Sequence, residues 1–292
     1  MPAPTPLRFE RTPSALRYMA HALRPRRGGE LPALDACWHG AVAAPALRAD
    51  FERLTGLACA PALPLPFVHA WSFRLQMALL THPAFPLPIW QALQLRNRLR
   101  QHRPLAPGAR VDMRTRVAAQ RRLDKGLEVD LHTTLADADG VAWEGTTTFY
   151  YRGRRRGDDP VPAQAAAPRV DAPPQSLADM PHDGGWRFGR VSGDYNGLHW
   201  SDAWARRFGF AGAFHHPPRA IAIAMARLAL PLHAPAQRLD AWIRGPLRYG
   251  SALSLARADE ATGATRFALF GSDDARPAIV ARWAPDDAGV VD

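Results

Sequence analysis

Pro246-Leu247-Arg248-Tyr249-Gly250-Ser251-Ala252-Leu253 has a counterpart 142 residues earlier, Pro104-Leu105-Ala106-Pro107-Gly108-Ala109-Arg110-Val111. Both fit Pro-Leu-x-x-Gly-x-x-aliphatic. Each copy follows a strand-like segment, 92–99 in one and 239–244 in the other. Each precedes an alternating segment, a polar turn (137–140; 259–263) and a further strand. Those last strands carry Trp143 and Trp283, 140 residues apart. Upstream lie two helix candidates, 68–80 and 219–230, closed by Pro83 and Pro231 and apolar on most faces. A helix that is apolar nearly all round belongs in an interior. Each half is therefore predicted as one buried helix followed by an antiparallel meander, an α+β layout in which a sheet wraps a central helix. Agreement in motif, helix and turn order makes this a tandem duplication.

Working outward, residues 157–180 are rich in proline and alanine and lack periodic apolar positions, which reads as a linker. The organisation expected is thus an N-terminal extension over 1–60, a first repeat over 61–156, the linker over 157–180 and a second repeat over 181–292. Within the extension, 14–23 and 45–57 look helical, the second with Leu47, Phe51 and Leu54 on one face. They pad the first half, and no chemistry is read in them.

The 292 residues are 47% hydrophobic and 22% charged, the composition of a globular protein. No stretch approaches the roughly 20 apolar residues of a membrane span, and residues 1–27 lack a signal-peptide core. The expectation is a cytoplasmic protein. Cys37 and Cys59 have neither the number nor the spacing for a disulfide framework or a zinc site. A net charge of +10, nearly all from arginine, suits an anionic partner. Arginines cluster between Arg96 and Arg122 and again at Arg152, Arg154, Arg155 and Arg156. They lie in strand-like sequence without a nucleic-acid module, so nucleic acid is not expected; a solvated basic face is the plainer reading.

Chemistry concentrates in Phe188-Gly-Arg-Val-Ser-Gly-Asp-Tyr-Asn-Gly-Leu-His-Trp-Ser-Asp-Ala-Trp-Ala205. Asp194, Asn196 and His199 fall within six residues, flanked by Gly193 and Gly197. A carboxylate and an imidazole brought together can hold one water and move its protons near neutral pH. The residues alone leave a rival reading open. Asp and Asn beside glycine also make turns and cap helices, and His199 also fits an interior position.

The stretch resembles the signature of the MaoC-like (R)-specific enoyl-CoA hydratases and 3-hydroxyacyl dehydratases, enzymes of the hot-dog fold. Phe188, Val191, Ser192, Gly193, Asp194, Asn196, Leu198, His199 and Ala205 occupy the signature positions. Gly197 stands where that family usually has proline. The resemblance covers most of residues 185–285, and the first half is similar to the degenerate repeat of two-repeat members. It implies a double hot-dog and a catalytic pair of Asp194 and His199, supported by Ser192, Gly193, Asn196, His216 and Arg219. It also implies an acyl-CoA or acyl-carrier-protein substrate, no metal and no cofactor, and it leaves a homodimer open. The usual aliphatic-Ala-His-Gly at the start of the buried helix is here Phe214-His215-His216-Pro217. Proline has no N–H to offer a thioester carbonyl. The replacements available are the N–H of His216 or Arg219, the His216 ring and the Arg219 guanidinium. Arg219 fits either a substrate anion or a structural ion pair with Asp202. The alternative is an acyl-thioester-binding protein whose oxyanion hole has lapsed. Thioester hydrolysis is a third reading, disfavoured because residues 219–230 carry no Asp or Glu.

Overall fold

A computed structural model describes residues 6–26, 28–153, 167–177, 185–232, 234–271 and 275–286. The first half runs β1 (Leu7–Phe9), α1 (Ala15–Ala22), β2 (Asp35–Val42), α2 (Pro45–Thr55), α3 (Leu65–Leu80), β3 (Leu93–Gln101), β4 (Arg110–Leu123), β5 (Gly126–Asp137) and β6 (Gly140–Arg152). The second runs β7 (Gln175–Ser176), α4 (Gly185–Ser192), α5 (Asp202–Arg207), α6 (Pro217–Arg227), β8 (Gln237–Ile243), β9 (Leu253–Asp259), β10 (Thr265–Gly271) and β11 (Ile279–Pro285). No helix among them is long and apolar enough to cross a membrane.

The strands form one sheet in the order β1-β2-β4-β5-β6-β3-β8-β11-β10-β9-β7. Every neighbouring pair is antiparallel except β1 with β2. From the β3–β8 seam outward, each half repeats the same succession. At the seam Arg98 faces Asp240, its own counterpart in the duplication, since 240 − 98 = 142. Arg96 crosses the seam, stacking over the Trp242 ring at 4.7 Å and pairing with Asp240 at 3.3 Å. The repeated motif does the same work in both places. Leu105 and Leu247 are buried, Gly108 and Gly250 take φ of 89° and 75°, and Val111 and Leu253 lead buried into β4 and β9.

Each half has its helix. Every residue of α3 except Arg74 is buried, which is the interior helix that its all-round apolar sequence announces. In α6 the run from Pro218 to Met225 is buried. The two helices touch each other, α3 against strands of the first half and α6 against β11. This is the double hot-dog, an α+β fold.

Two expectations about organisation need correction. Residues 1–60 are not a purely helical extension: besides α1 and α2 they hold β2, which pairs with β4 and extends the sheet. The pairing shifts register between Trp38 and Ala41, and that bulge breaks the period-2 pattern by which a strand is read. Of the linker expected over 157–180, residues 157–166 and 178–180 lie outside the described residues. Gln175 and Ser176 are an edge strand against β9.

The arginine cluster of the first half is largely ion-paired. Arg98 and Arg121 meet Asp130, Arg103 meets Asp137, Arg114 meets Asp35 and Arg100 meets Asp286. That agrees with a solvated, self-neutralising face. Arg154, Arg155 and Arg156 fall outside the described residues.

Candidate active site

The signature stretch folds as α4, a turn, a short 3-10 helix (Gly197–His199) and α5. Helix α4 ends where Gly193 takes φ +78°, a left-handed conformation that favours glycine. A Cβ there would also lie 2.6 Å from the Tyr18 hydroxyl oxygen. That hydroxyl donates to the Gly193 carbonyl at 2.7 Å. Arg74, the one residue of α3 that is not buried, donates from Nε to the Val191 carbonyl at 3.1 Å and from its terminal nitrogen to the Arg190 carbonyl. A guanidinium on the last carbonyls of a helix satisfies them and complements the dipole. The first half therefore grips the turn from two sides. Neither grip was read from the sequence: the first sixty residues, said to carry no chemistry, supply Tyr18, and no local pattern joins residues so far apart in the chain.

Inside the turn the polar side chains have fixed tasks. Ser192 Oγ donates to the Phe188 carbonyl and accepts from the Asp194 N–H at 3.2 Å. Asp194 Oδ1 accepts from the Asn196 N–H at 3.0 Å, and Asn196 Oδ1 accepts from the Leu198 N–H at 3.2 Å. These are the turn and cap roles that the residue types favour on their own. They leave Asp194 Oδ2 free to face His199 Nε2 at 3.7 Å. Gly197 answers to a different demand from the proline of the family pattern: a Cβ there would fall 2.5 Å from the Trp204 ring. Trp204 in turn meets Trp90 edge-on at 5.6 Å, whereas Trp200 is half exposed against Trp186. The two tryptophans flanking the motif thus do not pack as a pair.

The ring states follow from their partners. A main-chain carbonyl only accepts, so His199 Nδ1, 3.0 Å from the Phe214 carbonyl, carries the proton and Nε2 presents a lone pair. By the same logic His216 Nε2, 3.0 Å from the Asp194 carbonyl, carries the proton and its Nδ1 is an acceptor. The two imidazoles stack with centroids 3.7 Å apart and planes 24° apart. Burial pushes His199 below 6.5 against the opposing pull of Asp194 and the Phe214 carbonyl. Burial, then the adjoining His199, push His216 well below 6.5. Both rings are neutral at neutral pH. His199 Nε2 and Asp194 Oδ2 are then two acceptors separated by a gap that one water, donating a hydrogen to each, can bridge.

Asp194, His199 and His216 also form the one group among the described residues whose ligand atoms lie close enough to consider a metal, within 4.8 Å of one another. The stacking argues against it. Lone pairs of imidazoles lie in the ring plane, and nearly parallel planes 3.7 Å apart do not converge on one ion.

A cavity of about 280 Å³ opens beside the pair. Asp194, Asn196, His199 and His216 line one end, and Ala70, Phe73 and Met77 of α3 with Ile89 and Phe149 line an apolar stretch. The site thus lies between the halves. Arg219 is not in this lining. It is fully buried, and its Nε donates to the Leu54 carbonyl at 3.3 Å, at the end of α2. Asp202, its expected ion-pair partner, accepts instead from the Ala213 N–H and pairs with Arg206.

No protein-family model matches the chain. A curated relative, 3-hydroxyacyl-thioester dehydratase X of Mycobacterium tuberculosis, is 31% identical over 173 residues, 59% of this chain and 61% of the relative. The matched stretch is less than two thirds of that relative's own length. Among solved structures, HtdX of M. tuberculosis superposes with a TM-score of 0.71 at 26% identity, over 86% of this chain and 99% of the other. A MaoC-like dehydratase from Phytophthora capsici gives 0.70 at 17% identity, over 89% and 98%, a likeness of fold.

Proposed function

We propose that the chain is a MaoC-like dehydratase that interconverts 2-enoyl and (R)-3-hydroxyacyl thioesters, with Asp194 and His199 as its acid–base pair. The observation that carries this is the facing of two acceptors, His199 Nε2 and Asp194 Oδ2, 3.7 Å apart at one end of a cavity that also has an apolar stretch. A water held between them is a nucleophile with a base already in place. In hydration its oxygen bonds to C3 and one of its protons passes to the pair. The electrons of the C2=C3 bond shift towards C2 and the thioester oxygen, and a proton returned to C2 completes the addition. Dehydration runs the same steps backwards. Asn196 and Ser192 hold the turn that aims Asp194, and the apolar stretch of the cavity suits the acyl chain. The carrier is coenzyme A or an acyl-carrier protein, both anionic and both suited to a basic chain.

A specific observation favours one second reading. Pro217 and Pro218 begin α6, and neither has an N–H for the thioester oxygen, so a protein that binds acyl thioesters without turning them over is the alternative. Thioester hydrolysis fits less well, since α6 carries no carboxylate.

The test is to follow loss of enoyl absorbance with crotonyl-CoA, a medium-chain trans-2-enoyl-CoA and the same acyl groups on a carrier protein. Formation of the (R)-3-hydroxyacyl product supports the proposal. Tight binding of all of them without turnover supports the lapsed enzyme, and release of free thiol without hydration would overturn both.

A further inference from the structure

Hydration places negative charge on the thioester oxygen, and a site that catalyses it needs a hydrogen-bond donor there. A helix start ordinarily leaves four N–H groups open. In α6 the first two are absent, because residues 217 and 218 are prolines. The next two are engaged: the N–H groups of Arg219 and Ala220 both donate to the His216 carbonyl, at 3.0 and 3.1 Å. Arg219 is fully buried, does not line the cavity, and turns its Nε–H to the Leu54 carbonyl at the end of α2. The His216 ring cannot donate either, since its only proton is on Nε2 and is given to the Asp194 carbonyl.

One donor is left at this helix start. The main-chain N–H of His216 makes no hydrogen bond among the described residues. Its direction follows from the chain before it. Successive amides of an extended chain point in opposite directions, so residues two apart face the same way. His215 N–H turns to the Leu247 carbonyl, away from the site. Phe214 faces the motif, its N–H on the Leu198 carbonyl and its own carbonyl on His199 Nδ1. His216, with φ −58° and ψ 127°, is still extended and faces with Phe214. Its N–H therefore lies on the side of Asp194 and His199, at the positive end of α6. A second observation concerns the side chain of the same residue. His216 Nδ1 is buried, has no partner, and belongs to a residue lining the cavity.

We propose that the main-chain N–H of His216 is the oxyanion donor of this site, displaced by one residue from the helix-start glycine of the family pattern. The inference rests on the hydratase reading above. It also gives the double proline a consistent role: the contact that Pro217 removes is moved back along the chain.

The conformation of His216 permits a clean test, because a φ of −58° is one that proline adopts and its N–H has no structural bond to lose. His216→Ala removes the ring and keeps the N–H; His216→Pro removes both. On crotonyl-CoA the alanine variant sets the reference, since it loses the ring's contacts with His199 and the Asp194 carbonyl and keeps the N–H. The proline variant is expected to fall a further factor of about 10²–10³ in kcat, with KM changed far less. Equal kcat in the two variants, with wild type active, overturns the proposal. A wild type inactive on the coenzyme A and the carrier-protein substrates alike instead overturns the hydratase reading. Should the proline variant not fold, the amide resonance of His216 in Asp194→Asn protein supplies the answer. A downfield shift of its proton on adding crotonyl-CoA is expected, and an unmoved resonance in the bound protein contradicts the assignment.

Discussion

His69 lies in the middle of α3, 2% exposed, with no hydrogen-bond partner for either ring nitrogen. Burial pushes its pKa down to about 4. A histidine whose folded value lies below its unfolded 6.5 stays neutral in the fold while the unfolded chain takes up the proton. Stability therefore falls as pH drops through the window from 6.5 to 4. The gap corresponds to roughly 3 kcal/mol once the pH is below both values. His199 and His216 act in the same direction. His69→Leu is expected to flatten much of this acid limb, measured as urea midpoints at pH 7 and pH 5. A variant that loses stability between those pH values as steeply as wild type does would show that His69 is not the source. At this scale the sequence was legible where chemistry is local: Asp194, Asn196 and His199 stand within six residues and do meet. It was silent on Tyr18, whose hydroxyl reaches Gly193 across 175 residues of chain. It was ambiguous on Arg219, whose Nε–H meets the end of α2 and which is not in the cavity lining.

Between elements, the unannounced feature is how helix ends are closed by arginines from elsewhere. Arg219 closes α2 and Arg74 closes α4. The second bears on chemistry, because α4 runs directly into the turn that carries Asp194. Arg74→Met keeps much of the side-chain volume and removes the donors. It is expected to lower kcat by roughly 10- to 100-fold through misplacement of Asp194, while leaving crotonyl-CoA binding to within a few-fold. An unchanged kcat would mean that Tyr18 and the Ser192 and Asn196 bonds suffice to hold the turn. Helix boundaries were partly legible. α3 begins three residues before its expected start because Pro64 and Pro66, which read as breakers, sit at the N-cap and in the first turn, where proline is tolerated. β2 was missed for the opposite reason, an alternation interrupted by Gly40 at φ 59° within a bulge.

Across the whole molecule the duplication decides where the site can be. Two similar halves join edge to edge at β3 and β8, and α3 and α6 come into contact beneath the seam. The half without the motif is left to shape the cavity. Ala70 of α3 lines it and is fully buried. Ala70→Leu is expected to lower kcat/KM for a medium-chain enoyl thioester at least tenfold relative to crotonyl-CoA, since each methylene that a pocket can no longer hold is worth about 1–3 kcal/mol. Equal losses on both substrates would place the acyl chain elsewhere. The 142-residue offset was enough to foresee this architecture. The positions of the two helices between the halves were not, because packing between distant elements leaves no periodic trace in either one.

The most direct measurement is single-turnover hydration of crotonyl-CoA by wild type, Asp194→Asn, His199→Ala and the double variant, with the product resolved by chirality. Two groups that hold one water act as a unit, so each single change is expected to cost at least about 10²-fold and the double change little more. The wild-type product is expected to be the (R)-3-hydroxyacyl thioester. Turnover that survives both substitutions, or losses that simply multiply, would contradict a water held between Asp194 and His199.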